Sequence, residues 1–195
     1  MDIHAWRRRI RDYSDITNLG PIIRRYFVIG AFDGALTILG IIIGASVAGV
    51  TEETKYVILF ASVSAAIGLA VSSTVGAYEA ERVESKLDQR TIERAMLSKI
   101  SEEHRDAFRF AAFLSAFVHG IAPLIAAVLP LVPFMLLPIR EATVASIVVT
   151  MVFLFGIGAY LGRLVRERFF YTGLRFVAAG LATALLLWLL GPAAL

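Results

Sequence analysis

Residues 26–50 read YFVIGAFDGALTILGIIIGASVAGV, a stretch whose one charged residue is Asp33. An α-helix rises about 1.5 Å per residue, so about 20 apolar residues cross the hydrocarbon core of a bilayer. The stretch is long enough, and it is a continuous apolar run rather than the alternating pattern of a barrel strand. Four more stretches qualify: 56–78 with no charge, 108–130 with Arg109 at its start, 142–161, and 171–190 with Arg175 near its start. The chain therefore reads as an all-α membrane protein with five transmembrane helices. Composition agrees, since 58% of its 195 residues are hydrophobic and 18% charged, with a mean hydropathy of +0.74. A soluble domain is nearer half and a quarter. That balance excludes a soluble globular enzyme, a disordered tail and a fibrous repeat. Cysteine is absent, which removes disulfides, thiolate metal sites and thiol catalysis. His4, His104 and His119 lie far apart and form no histidine-based metal motif.

The positive charges give an orientation. Seventeen of the 19 lysines and arginines fall before the first span, between the second and third with the start of the third, and around the fourth connection. Only Lys55 and Arg140 fall on the other side. Lysine and arginine are retained in the cytoplasm, so the N-terminus is expected there and the C-terminus outside or in a lumen. The organisation expected is a basic N-terminal segment (1–25), two spans (26–78), a charged cytoplasmic helical segment extending the second helix (79–107), and three further spans (108–195). The N-terminus lacks the apolar core of a signal peptide. Ile3, Trp6, Ile10 and Tyr13 recur at helical spacing among arginines, which fits either a short helix on the anionic leaflet or a frayed basic tail.

On the first span Gly30, Asp33, Gly34, Thr37, Gly40, Gly44 and Ala48 share a face, opposite Ile29, Phe32, Leu36, Leu39 and Ile43. Small residues let helices approach in lipid, so this face is expected to point into a bundle. A carboxylate at that depth costs several kcal/mol unless hydrated or paired. Asp33 thus serves an ion or proton, or it pairs with a helix end or an arginine. The second span repeats the small-residue spacing at Ser64, Gly68, Ser72 and Gly76, with hydroxyls at Ser72, Ser73 and Thr74 and then Glu79. Such a stripe would outline a hydrated path to the cytoplasm, although hydroxyls also bond their own backbone four residues back.

Residues 79–106 hold eight acids and six interleaved bases, and no glycine or proline, so one or two helices are expected. Glu81, Glu84 and Asp88 share a face, which suits a hard divalent cation. The alternative is a solvated helix crossed by ion pairs. Ser101, Glu102 and Glu103 suit the capped, acidic start of the third span. That span carries His119, which is a proton carrier or a hydrogen-bonded interior residue, and Pro123, which frees a backbone carbonyl. Pro130, Pro133 and Pro138 are read as part of an apolar outer connection. Gly158 and Gly162 in the fourth span, and Gly173, Ala178, Ala179, Gly180 and Ala184 in the fifth, are packing faces. No nucleophile–base pair, HExxH or phosphate-binding motif is visible, and a non-enzymatic protein is expected.

Four motifs taken in order resemble the vacuolar iron transporter family. They are Asp33-Gly34-Ala35-Leu36-Thr37 with Gly40 and Gly44; Ser72-Ser73-Thr74-Val75-Gly76-Ala77-Tyr78-Glu79; Gly120-Ile121-Ala122-Pro123-Leu124; and Phe155-Gly156 with Gly162-Arg163. The resemblance runs from Arg24 to Gly191. It implies a five-helix homodimer with a pore at the two-fold axis, exporting Fe²⁺, and often Mn²⁺, from the cytosol in exchange for protons. It carries the pore aspartate to Asp33. It places the metal-binding glutamates in the region of Glu79, Glu81 and Glu84, with Glu93, Glu102 and Glu103 following. The chain departs from the family in two places: Thr74 stands where the pore has a methionine, and the glutamate before Tyr78 is Ala77, with Glu79 following the tyrosine instead. Soft ligands favour the later transition metals, so their absence bears on selectivity.

These readings combine into one expectation. The acidic stripe gathers a divalent cation, Asp33 accepts it with Thr37 and freed carbonyls, Ser72 and Thr74 line the path, and a proton replaces the metal. The transported ion is cargo, with no prosthetic group. Partners are a second copy, metal ions, protons and lipid, with no nucleic acid. A passive divalent-cation channel is the rival reading, with a non-transporting scaffold or a membrane enzyme behind it. The compact length and the absence of an organelle-targeting segment suit a prokaryotic inner membrane.

Overall fold

The computed structural model describes residues 3–190, and side chains over 10–189. Its helices are α1 (Ile3–Thr17), α2 (Leu19–Val47), α3 (Lys55–Met96), α4 (Glu102–Leu136), α5 (Ile139–Leu164) and α6 (Phe169–Leu190), with a 3₁₀ turn at Glu52–Thr54; no strand occurs among the described residues. Five of them, α2 to α6, are long and apolar enough to cross a membrane. The protein is a multi-pass integral membrane protein, and the all-α, five-span reading holds. The side chains of Ile3, Trp6 and Arg7 to Arg9, and the tail beyond Leu190, lie outside the described residues.

The helix ends have local causes. α2 stops where Gly49 takes φ +77°, and the Val50 amide reaches back to the Ala45 carbonyl at 3.2 Å, a Schellman-type close. α3 runs for 42 residues, from the apolar stretch through most of the charged one. It ends without glycine or proline: Leu97 takes φ +52°, and Glu93 accepts the amide of buried Ile100 at 3.2 Å. The charged segment is thus two helices. The second begins as expected, with the Ser101 hydroxyl accepting the His104 amide at 3.3 Å and Glu102 and Glu103 in the first turn.

The proline-rich connection is a correction. α4 continues through Pro123, Pro130 and Pro133 to Leu136, and only Pro138 lies between helices, before α5. Proline is tolerated in membrane helices where neighbours satisfy the disturbed backbone. Pro123 and Pro130 are fully buried, and the Ser146 hydroxyl of α5 donates to the Pro130 carbonyl at 2.6 Å.

The chain divides into two compact units, one of residues up to Gly30 with Ala70–Ile121, the other Ala31–Leu69 with the residues from Ala122 onward. The first holds α1, the charged end of α3 and the start of α4. In it the Tyr13 ring of α1 lies 5.7 Å from Phe110 of α4, so this edge of α1 packs against a protein helix. The second unit has a core of Ile38, Ile42, Ile58, Ala66, Ala127, Leu131, Phe134 and Ala142. There α5 and α6 interlock through glycines. A Cβ on Gly158 would sit 2.7 Å from the Thr172 carbonyl oxygen, and one on Gly162 would sit 2.8 Å from Phe169 Cα. Gly173 and Gly180 make the reciprocal contacts with Phe155 and Leu154.

Candidate functional site

Asp33 is half-buried, and so is Thr37 one turn on. The face of α2 that packs inward lies across the helix from Asp33: Ala31, Ala35, Ile38 and Ile42, each nearly or wholly inaccessible. Leu39 and Ile43, from the face opposite the glycines, are also buried, whereas Gly44 meets nothing within 4 Å. The small-residue face is therefore only partly enclosed within one chain. Where it is enclosed it is tight: a Cβ on Gly34 would stand 2.6 Å from both Cα and O of Pro123. The proline of α4 meets α2 one residue from the carboxylate, and its missing amide leaves the carbonyl four residues earlier without a helical donor.

The hydroxyls of α3 do not share one direction. Ser72 is exposed, in line with Ser64, Gly68 and Gly76, and a Cβ on either glycine would meet no other part of the chain within 4 Å. Thr74 turns toward Gly120 of α4, and its hydroxyl donates to the Ala70 carbonyl at 2.8 Å. Residues two apart on a helix face nearly opposite ways, which separates the two proposed pore hydroxyls.

The acids of the extension have separate surroundings. Arg25 donates to Glu81 at 3.0 Å, and the Glu81 side chain is 12% exposed. Tyr26, next to Arg25 on α2, is close enough to Glu81 to feel its charge. Glu79 accepts from Arg82 at 3.1 Å in the open. Glu93 closes the turn between α3 and α4. Glu84, Asp88, Glu102 and Glu103 are exposed. Among the described residues no three His, Asp or Glu converge as a metal site. His119 lies on the other side of Tyr26: its Nδ1 is 2.9 Å from the Tyr26 carbonyl, and the rings are 5.1 Å apart. A carbonyl only accepts, so Nδ1 carries the proton of this bond.

Arg25 and Tyr26 thus tie the start of α2 to Glu81 of α3 and His119 of α4, and sequence reasoning passed over them. A signal existed: Arg24 and Arg25 end the polar lead into the first span, and Glu79 and Glu81 follow the second, so an antiparallel pair sets them level.

The profile of the VIT family matches residues 24–109 and 96–192. An uncharacterized protein of Methanocaldococcus jannaschii is 32% identical over 174 residues, covering 87% of this chain and 88% of that one.

Proposed function

The chain belongs to the VIT family, a family of membrane metal-ion transporters, and we propose that it exports Fe²⁺ or Mn²⁺ from the cytosol in exchange for protons. One observation carries this reading: Asp33, half-buried within an apolar stretch of α2, on a face that its unit only partly encloses. A carboxylate in a low-dielectric setting favours its protonated form, so a proton and a divalent cation compete for it. Competition at one group, with access alternating between the two sides, suffices for antiport. Thr37 adds a hydroxyl one turn away.

A second copy completes the path. The exposed row Ser64, Gly68, Ser72 and Gly76 on α3 suits close helix approach, and Ser72 then faces the axis. The charge bias puts the extension of α3 in the cytoplasm. There the exposed carboxylates Glu84 and Asp88 collect metal, with Glu102 and Glu103 nearby in sequence. Glu79, Glu81 and Glu93 join only by exchanging Arg82, Arg25 and the Ile100 amide for the ion. Oxygen donors alone suit a hard ion, which ranks Mn²⁺ with Fe²⁺ as cargo.

The test is flux of Fe²⁺ and Mn²⁺ into liposomes holding the protein, with and without a pH gradient, beside Asp33→Asn. Gradient-driven flux that disappears in the variant is the expected result. Flux indifferent to the gradient would make the protein a channel, and wild-type flux in Asp33→Asn would remove Asp33 from the path.

A further inference from the structure

Within the first unit, a cavity of about 360 Å³ opens between the charged stretch of α3 and the first turns of α4. Arg82, Ser85 and Lys86 line it from α3, and Arg105 and Arg109 from α4. The spacing explains the convergence, because residues three and four apart share a helix face. Four cations therefore border one space, and no acid lines it. Two are answered from outside the cavity: Arg82 by Glu79 at 3.1 Å and Arg109 by Asp106 at 3.6 Å. Lys86 and Arg105 have no ion pair among the described residues; Arg105 donates to the Ile100 carbonyl at 3.4 Å. Ser85, 9% exposed, adds a hydroxyl to the wall.

The remaining wall sets the depth. Tyr78 and Phe108 line the same cavity, and they are the residues at which the apolar run of α3 ends and that of α4 begins. Arg82, Lys86 and Arg105 stand just beyond that boundary, Arg109 one residue inside it, and the rings stand on it. This is the layout of a phospholipid headgroup site, with donors for the phosphate on the wet side and aromatic surface toward the acyl chains.

We propose that this cavity binds the phosphate of an anionic membrane phospholipid, held by Lys86, Arg105 and Ser85 and backed by Tyr78 and Phe108. Arginine offers a planar pair of N–H donors to two phosphate oxygens, and lysine supplies a point charge. Free phosphate shares that chemistry but has nothing to place against the rings. A zwitterionic lipid brings no net charge to answer the two unpaired cations. Binding is read without transport, so the outcome does not depend on which ion is carried.

The experiment is native mass spectrometry of the full chain, purified in detergent and exposed to phosphatidylglycerol or phosphatidylcholine. One phosphatidylglycerol per chain is expected to remain under conditions that strip phosphatidylcholine. Lys86→Gln with Arg105→Gln should weaken retention roughly 25-fold, about fivefold for each cation near an anionic lipid. Lys86→Arg with Arg105→Lys should keep it. So should Arg166→Gln with Arg168→Gln, which removes the same charge elsewhere. Circular dichroism of every variant separates lost binding from lost fold. Wild-type retention in the first pair, or equal loss in the Arg166 and Arg168 pair, would overturn the site. Displacement of the lipid by millimolar inorganic phosphate at matched ionic strength would overturn the lipid as its occupant.

Discussion

The two units of this chain are held by different physics. In the unit of residues 31–69 and 122 onward, the close contacts at the glycines and in the core are shapes, beside hydrogen bonds such as that of Ser146 to the Pro130 carbonyl. Gly34 meets the backbone of Pro123, Gly158 and Gly162 receive α6, and isoleucines close around Phe134. In the unit up to residue 30 with 70–121, the contacts include charges and hydrogen bonds between helices: Arg25 to Glu81, and His119 to the Tyr26 carbonyl. Lipid gives no hydrophobic drive for helices to associate, so close packing of small residues has to supply it. Where the chain turns charged, polar partners do part of that work. Asp33 stands out against this background, as a carboxylate within an apolar span of that unit.

That exception predicts the largest effect. Asp33→Asn keeps size and removes charge, so thermal unfolding in detergent should stay close to wild type while metal flux falls to that of empty liposomes. A fall in stability equal to the loss of flux would make Asp33 a packing residue and erase the contrast.

The next effect lies in the packed unit, at two glycines two residues apart. Gly158→Ala forces a Cβ onto the Thr172 carbonyl, a backbone group that cannot swing aside, and should cost about 1–3 kcal/mol. Gly156 has nothing within 4 Å, so Gly156→Ala should gain up to about 1 kcal/mol from helix propensity. Thermal unfolding in detergent reads both. Equal signs at the two positions would show that packing against α6 does not distinguish them. Neither shift should depend on salt, because neither involves a charge.

The same division explains what could be read from the chain beforehand. The five spans were plain because each is a long apolar run, and Gly158 with Gly162 marked a close contact by spacing alone. The Ser101 cap was also local. The inward face of α2 was not legible, because that helix is apolar nearly all round and its periodicity singles out no side; Ala31, Ala35, Ile38 and Ile42 won through their partners on other helices. The course of α4 past Pro130 depends on Ser146, 16 residues away. The break at Leu97 carries no breaker residue. Of the candidate site, Asp33 was legible as a misplaced charge. The engagements of Glu81 and Glu93 were not, since Arg25 lies 56 positions from Glu81 and the Ile100 amide shows no side-chain signal.

The smallest effect sharpens the charged side of the comparison. Glu79 and Glu81 lie on one helix, and each accepts from an arginine at about the same distance, 3.1 and 3.0 Å. They differ in surroundings: the Glu79 side chain is 51% exposed and its partner is three residues away, whereas Glu81 is 12% exposed and its partner belongs to α2. Exposed pairs of the first kind contribute about 0–1 kcal/mol, so Glu79→Gln should leave unfolding unchanged within error. Glu81→Gln removes a shielded charge that Arg25 of α2 holds, and about 1 kcal/mol should be lost. Arg25 itself is 59% exposed, which keeps that figure low and makes it shrink as salt is added. Measured at low and high ionic strength, the Glu81 variant should approach wild type while Gly158→Ala does not. If Glu81→Gln costs as much in high salt as in low, the acid is held by shape like the glycines, and the two units obey one rule rather than two.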